Sequence, residues 1–350
     1  MNKKVIAIIA ILLIGAAGVF AWQTKVFAPK TTHQEEKKQE VKKEEPQLVR
    51  ADLTGLETTA EKAKRPITAV MVENSPEARP QSGLKEAGVV FEAVAEGGIT
   101  RFVAMYQEKQ PDLIGPVRSI RPYFVEWAAG FDAGLAHVGG SELALDMVKS
   151  GNYVTDLDQF RDPAGIFWRS DDRIAPHNMY TNTRGLDEYM EKAGKKRSDF
   201  EVWKRLPLRT DKTENTDSSE LPIAHNIQFP VSTGIFAVGY QYDATSNTYK
   251  RFQGGEAHQD REKGQLSPDV VIAIVVNQSL SADGNHMDIE MTGAGKAYIF
   301  QNGKVQEGKW SKPDAQTNIS FTDEQGQNIP LKAGQTWVTT VDNMRQVIWE

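Results

Sequence analysis

The sequence predicts an α+β or α/β N-terminal domain with a mixed sheet, followed by a β-rich C-terminal domain. Three observations predict it. Between residues 65 and 192, short β-forming runs alternate with helical patterns and a tight hairpin, as expected of a sheet with helices packed on it. Beyond residue 235 only short β-forming runs recur, separated by turn pairs such as Asp283-Gly284 and Asn302-Gly303. Between these regions, residues 210–220 contain no large apolar side chain and read as a domain boundary or a long exposed loop. The division is then an anchor or signal segment over 1–28, a charged linker over 29–51, an α/β domain over 52–210 and a β-rich domain over 221–350.

Lys3 and Lys4 precede an unbroken apolar run over 5–22, about the minimum length that spans a bilayer as a helix. The lysines would stay inside and send the body outward, with Trp22 and Lys25 at the far interface. The competing reading is a cleaved signal peptide ending near Val19-Phe20-Ala21. Either places the body outside the cytoplasm, single-pass with a cytoplasmic N-terminus or secreted. The linker mixes both charges, has no aromatic residue and has little to bury, so it reads as a solvated tether.

The first domain opens at Arg65-Pro66. Strands are predicted over 67–72, 89–94 and 100–106, with Glu96-Gly97-Gly98 as a hairpin turn between the last two. Gly115-Pro116 then leads into the densest stretch of the chain, residues 114–141. Ser119 or the Arg121-Pro122 pair starts a helix through Ala129, because proline suits a first turn. Residues 131–138 read as a buried strand, Gly139-Gly140 as a turn, and Ser141 as an N-cap with Glu142 in the first helical turn. Leu143, Met147 and Val148 form that helix's core face, and Gly151 ends it. A loop dense in charge follows over 167–178, and Thr181 or Asn182 caps a helix through about Lys192. In the second domain strands are predicted over 235–242, 248–252, 270–276, 287–291, 296–300, 304–309, 336–341 and 345–349, with Asn302-Gly303 as the clearest hairpin.

The 350 residues suffice for two domains of ordinary size, and 39% hydrophobic with 25% charged residues suits a soluble body with polar segments attached. A formal net charge of -6 argues against a nucleic-acid partner, for which a basic surface is selected. With no cysteine, disulfides, thiolate metal sites, a cysteine nucleophile and an acylated lipobox cysteine are all excluded. P-loop, dinucleotide, zincin and nucleophile-elbow motifs are missing. Catalytic residues are therefore unassigned, and no cofactor or metal is implied.

One constellation stands out. Arg79, Arg101, Arg118 and Arg121, with Arg169 and Arg173 in the later loop, form an arginine set, several of them in or beside turns where their planar forks can converge on phosphate or carboxylate oxygens. His137, Gly139, Gly140 and Ser141 add backbone amides at a helix N-terminus, beside Ser119. The alternative is that the arginines form structural bridges to Glu73, Glu92, Glu96, Asp132 or Asp171. Asp171-Asp172-Arg173 with Pro176-His177-Asn178 form a second cluster, able to hold a metal or to act in acid–base chemistry, but without a metal-ligand spacing and so reading better as a structural loop. His258-x-Asp260 and Asp283, His286 and Asp288 would permit a divalent metal but read better as surface polar residues.

These segments resemble the YerB-like family of Gram-positive envelope proteins, a family of unknown function. The matching motifs include Leu53-Thr54-Gly55-Leu56, Ala78-Arg79-Pro80-Gln81-Ser82-Gly83, Glu96-Gly97-Gly98-Ile99-Thr100-Arg101, Gly115-Pro116-Val117-Arg118-Ser119-Ile120-Arg121, His137-Val138-Gly139-Gly140-Ser141, Ala175-Pro176-His177-Asn178 and Tyr249-x-Arg251-Phe252. The resemblance implies two domains at a bacterial cell surface. Its members are typically lipoproteins, and this chain departs by lacking the lipid-bearing cysteine. In order and residue type the chain also resembles the LytR-CpsA-Psr family, in which arginines of an α/β domain grip a lipid pyrophosphate. The expectation is a membrane-anchored binding protein of the envelope holding an anionic ligand, such as a polyprenyl phosphate or glycopolymer. The alternatives are a glycopolymer phosphotransferase and a scaffold for wall-synthesis proteins.

Overall fold

The apolar runs 67–72, 89–94 and 100–106 become three adjacent strands, and the rest is assembled around them. The computed structural model describes residues 47–162, 164–208, 220–229, 231–232, 234–342 and 347–350. The predicted anchor over 1–28 and most of the linker over 29–51 lie outside the described residues. Among the described residues no helix is long and apolar enough to cross a membrane.

Strands β1 (Thr68–Glu73), β2 (Val89–Glu96) and β3 (Ile99–Tyr106) are buried on both faces. That is why they read as continuous apolar runs rather than alternating ones. Gly97 and Gly98 turn the β2–β3 hairpin at φ 55° and 80°, a conformation that favours glycine. Strands β4 (Gly134–His137) and β5 (Thr155–Asp158) add in parallel beyond β1. Helix α1 (Pro122–Gly130) starts at the expected Arg121-Pro122 pair. Helix α2 (Glu142–Lys149) follows Ser141. Helix α3 (Thr183–Lys192) follows Asn182, whose side chain accepts the Gly185 amide at 2.8 Å.

Two expectations need correction here. Leu143 is 63% exposed, and Ala144 with Val148, four residues apart, takes the core face of α2. The strand expected over 131–138 is shorter, because Phe131 caps α1 and Asp132 adopts φ 48° before the chain can extend.

The C-terminal half supplies β6 (Asn226–Phe229), β7 (Val238–Asp243), β8 (Thr248–Gln253), β9 (Glu256–Ala257), β10 (Val270–Val276), β11 (Gly293–Gln301), β12 (Lys304–Lys312), β13 (Ser320–Thr322), β14 (Thr336–Asp342) and β15 (Ile348–Trp349). One sheet has five strands in the order β9-β8-β7-β6-β15, all antiparallel. The other has ten, in the order β13-β12-β11-β10-β14-β2-β3-β1-β4-β5, and it is mixed. Asn302 and Gly303 turn the β11–β12 hairpin at φ 55° and 72°. Strand β6 was missed from sequence, although buried Ile227 and Phe229 alternating with exposed Asn226 and Gln228 is its signal. The protein is thus mostly β, with a large mixed sheet and few helices.

The ten-stranded sheet passes from one half of the chain to the other between β14 and β2, paired in parallel from Thr336↔Val89 to Thr339↔Glu92. On one face Met71, Phe91 and Val103 pack in one core with Trp127 of α1, whose ring stacks on Phe91 at 4.7 Å between centroids. On the other face Val72, Val90 and Phe102 pack with Trp337. A polar core spans the seam. Arg251, fully buried, donates from NH2 to Glu92 Oε2 at 2.8 Å, from Nε to His258 Nδ1 at 2.9 Å, and from NH1 to the Tyr240 hydroxyl. Burial, then the Arg251 and Arg79 charges, pushes the His258 imidazole well below its ordinary range. Its Nδ1 therefore accepts from Arg251 while Nε2–H donates to Gln81 Oε1 at 3.0 Å.

Burial of Lys312 gives stability a pH-dependent contribution. Its ammonium donates to the carbonyls of Ala315 and Thr317 at 2.8 and 2.7 Å, and burial pulls it down to about 8 from 10.5. Below about pH 8 the folded protein carries the full cost of the buried charge. Above about 10.5 neither state is charged. Stability contributed by this group therefore rises with pH across that window. Urea unfolding at a series of pH values is expected to show the rise in the wild type and its loss in Lys312→Met.

Candidate functional site

The parallel strands β1, β2, β4 and β5 all end at one edge of the sheet, on Glu73, Glu96, His137 and Asp158. Open sheets with parallel strands hold ligands outside such carboxyl ends. The loop 114–121 crosses this edge. Val117 bridges Val72 of β1, and Ile120 bridges Gly140 in the turn after β4. The bond Ile120 N–H to Gly139 O (3.0 Å) and that of Ser141 N–H to Ile120 O (3.2 Å) lay the two segments side by side. A Cβ on Gly140 would collide with Ile120 Cγ1, so the approach requires glycine there. As a result α1 and α2 begin next to each other, and neither N-cap, Arg121 or Ser141, makes a side-chain cap hydrogen bond.

Arg101 and Arg121 meet on one carboxylate. Arg101 NH2 lies 2.6 Å from Glu96 Oε1, and Arg121 NH2 bonds Glu96 Oε2. Arg101 NH1 also donates to Ser119 O at 2.7 Å, and Arg121 NH1 to Ile120 O at 2.7 Å. The arginines are 3% and 5% exposed. Burial alone would raise the Glu96 carboxyl, but the two guanidinium groups outweigh it and hold it below the usual range. Two cations on one anion leave a net positive charge. The Nε atoms of Arg101, Arg118 and Arg121 and the Oγ of Ser141 are buried without a hydrogen-bond partner.

A second group surrounds Glu73 Oε1. It receives Ser75 Oγ at 2.8 Å, His177 Nδ1 at 2.8 Å and Arg118 NH2 at 3.1 Å. Glu73 is 3% exposed on its side chain, whereas His177 and Arg118 are 23% and 24% exposed. His177 is delivered by a hairpin between Trp168–Arg169 and Met179–Tyr180. Asn178 fixes that hairpin by accepting Arg169 NH1 at 2.7 Å and donating to Ser170 O at 3.0 Å. Arg173 clamps it to the 76–80 turn through the carbonyls of Glu77 (2.6 Å) and Pro80 (2.7 Å). Behind the edge, buried His137 bonds Gly139 O and Asp156 Oδ1, both at 2.9 Å. Burial would raise Asp156, but His137 and then Arg161 hold it low.

Arg101, Arg118, Arg121, Ser119, His137, Gly139, Gly140, Ser141, His177 and Asn178 are thus brought to one edge. Arg79 turns instead toward the C-terminal half, bonding Asn74 O at 2.9 Å and Ile235 O at 3.2 Å and lying 4.9 Å over the Phe236 ring. Arg173 is spent on backbone carbonyls, and Asp171 is exposed on the hairpin. From sequence, Glu73 and Glu96 are expected only as bridging partners, and Ser75 does not stand out. Their signal was a carboxylate or hydroxyl at a strand's carboxyl end. His258 and Asp260 are buried, His258 against Arg251 and Gln81, Asp260 accepting the amides of Lys85, Glu262 and Lys263. Surface concavities of about 650 and 690 Å³ lie elsewhere, beside Gln228 and Gly239 and beside Gly185 and Tyr189.

A mixed sheet shared by both halves of the chain, with buried ion pairs lining its carboxyl edge, defines a two-part β-rich class whose function is not established. Residues 53–196 match the family described as "Protein of unknown function (DUF3048) N-terminal domain", and residues 226–338 match its C-terminal domain. The chain belongs to this YerB-like family. It is 34% identical over 302 residues to "Putative lipoprotein YerB" of Bacillus subtilis (strain 168), covering 85% of this chain and 87% of that protein. It is similar to the crystal structure of YerB protein from Bacillus subtilis with a TM-score of 0.75 and 31% identity, covering 86% of this chain and 99% of that one.

Proposed function

We propose that this protein is an extracytoplasmic, membrane-attached member of the bacterial envelope that holds a phosphate-bearing or other anionic ligand at the carboxyl edge of β1, β2 and β4. The observation that carries the reading is the charge arrangement: Arg101 and Arg121 share the single carboxylate of Glu96, and three neighbouring guanidinium Nε atoms are buried without partners. Guanidinium donors fit oxyanions in fixed geometry. Attachment is supported by the apolar run 5–22 and by the lipoprotein name of the Bacillus relative. This chain has no cysteine to carry an acyl group, so the apolar run is the proposed anchor.

Binding to phosphatidylglycerol vesicles and to poly(glycerol phosphate) tests the reading. The Arg118→Ala/Arg121→Ala variant, folded by circular dichroism, is expected to lose about tenfold or more in affinity, the value of one or two charge-assisted hydrogen bonds. Unchanged affinity sinks the proposal. A second reading, a glycopolymer phosphotransferase, has one observation in its favour. His177 is oriented by Glu73, and its ring reaches solvent beside Arg118. Metal-dependent turnover of a polyprenyl-pyrophosphate substrate would separate it from simple binding.

A further inference from the structure

Arg118 and His177 hang on the same oxygen, Glu73 Oε1, at 3.1 and 2.8 Å, and each is about a quarter exposed at 24% and 23%. Within the trio Glu73 and Arg118 cancel, so it is neutral while the imidazole is neutral and gains one positive charge when the ring is protonated, with the exposed Glu77 carboxylate as the nearby opposing charge. Because Glu73 Oε1 can only accept, Nδ1–H donates to it. No bond to Nε2 is formed within the protein among the described residues, so Nε2 is the atom at which a proton arrives.

We propose that Glu73, Arg118 and His177 form a proton-linked site for a tetrahedral oxyanion of the phosphomonoester class. The bound oxyanion takes its hydrogen bonds from Arg118 and from the Nε2–H of the imidazolium, and one proton is taken up at His177 with each anion. The site rests on the proposed anion-binding reading and adds to it the identity of the donor pair and the proton. Charged and titratable groups approach the His177 ring from three parts of the chain. From β1 and the turn after it, Glu73, Ser75 and Glu77 face the ring. From the crossing loop the facing charge is Arg118. On its own hairpin, Arg169 is held by Asn178, Arg173 by backbone carbonyls and Asp172 by Arg261, with Asp171 exposed. Histidine is the side chain whose charge changes near neutrality.

Sulfate is a suitable probe because its own charge is constant across the range, and phenyl phosphate is the phosphomonoester. Titrations of the whole chain are followed by amide chemical shifts at about pH 5.5 and pH 8. Wild-type affinity for sulfate is expected to fall about tenfold or more between the two, one charge-assisted hydrogen bond being lost. His177→Gln is expected to bind at the weaker level at both pH values, and Arg118→Gln to weaken binding at both. The wild type supplies a second readout that needs no variant. By reciprocity, saturating sulfate must shift the His177 ring titration upward. Binding that is independent of pH, or a His177 titration unmoved by sulfate, overturns the proton-linked site while leaving anion binding standing. No binding at either pH overturns both.

Discussion

Arg251→Met is expected to lower the unfolding free energy by about 3–5 kcal/mol, the cost of leaving a buried charge without its partner. Both Arg251 and Glu92 side chains are 0% exposed. Glu92 Oε1 already lacks a hydrogen-bond partner, so removing the guanidinium strips the carboxylate of the cation that holds its other oxygen. The Tyr240 hydroxyl and His258 Nδ1 lose the same donor, and Trp337 loses a guanidinium 4.4 Å from its ring centroid. Methionine fills the volume, which separates the electrostatic loss from a cavity. Urea midpoints measure it. A loss below about 1 kcal/mol would place this pair with exposed bridges rather than buried ones. Adding Glu92→Gln to Arg251→Met should cost less than the sum of the two single changes, because each then removes the other's unpaired charge.

Glu96→Gln is the second large effect, expected at about 3 kcal/mol or more, because one substitution leaves two buried guanidinium groups without a counter-charge. Arg101 is pulled down by burial and supported chiefly by Glu96. The pH dependence follows from the Glu96 carboxyl lying lower in the folded than in the unfolded protein. Its stabilisation is present above the unfolded carboxyl range and is lost as pH falls through the folded one. Wild type and Glu96→Gln should therefore converge in stability on acidification, and urea unfolding across acidic pH shows whether they do. Sulfate provides a further check. If the edge accepts an oxyanion, the variant with one fewer carboxylate recovers stability as sulfate rises, in proportion to the logarithm of its concentration above Kd.

How much of this was legible depended on whether neighbours in space were neighbours in sequence. The β2–β3 and β11–β12 hairpins were readable because Gly97-Gly98 and Asn302-Gly303 carry their own backbone preference. The start of α1 at Arg121-Pro122 was readable for the same reason. The meeting of Arg118 and Arg121 with Ser119, His137 and Ser141 at one edge follows from a local loop–turn ladder within residues 114–141. The rest depended on long-range placement. Whether Arg79 joins the other arginines is decided by Ile235 and Phe236, far along the chain. His258 with Asp260 looked like surface polar residues until Arg251, Gln81 and the 260–263 turn buried them. Leu143 was assigned to a core face by helical spacing alone, which cannot say which of two adjacent stripes meets the sheet.

The position of β14 also bears on how the chain acquires its structure. This strand lies between β10 and β2, and its Thr339 side chain meets Glu92 across 247 residues of sequence. Until residues 336–342 arrive, β2 and β10 each present an unpaired parallel edge, so the two halves are separate partial sheets with exposed seams. Closure therefore waits for nearly the whole polypeptide and carries the loop-closure entropy of a very distant contact, which works against fast folding. Cleavage that removes β14 opens the sheet at its centre, and each half is left with an edge free to pair with another chain.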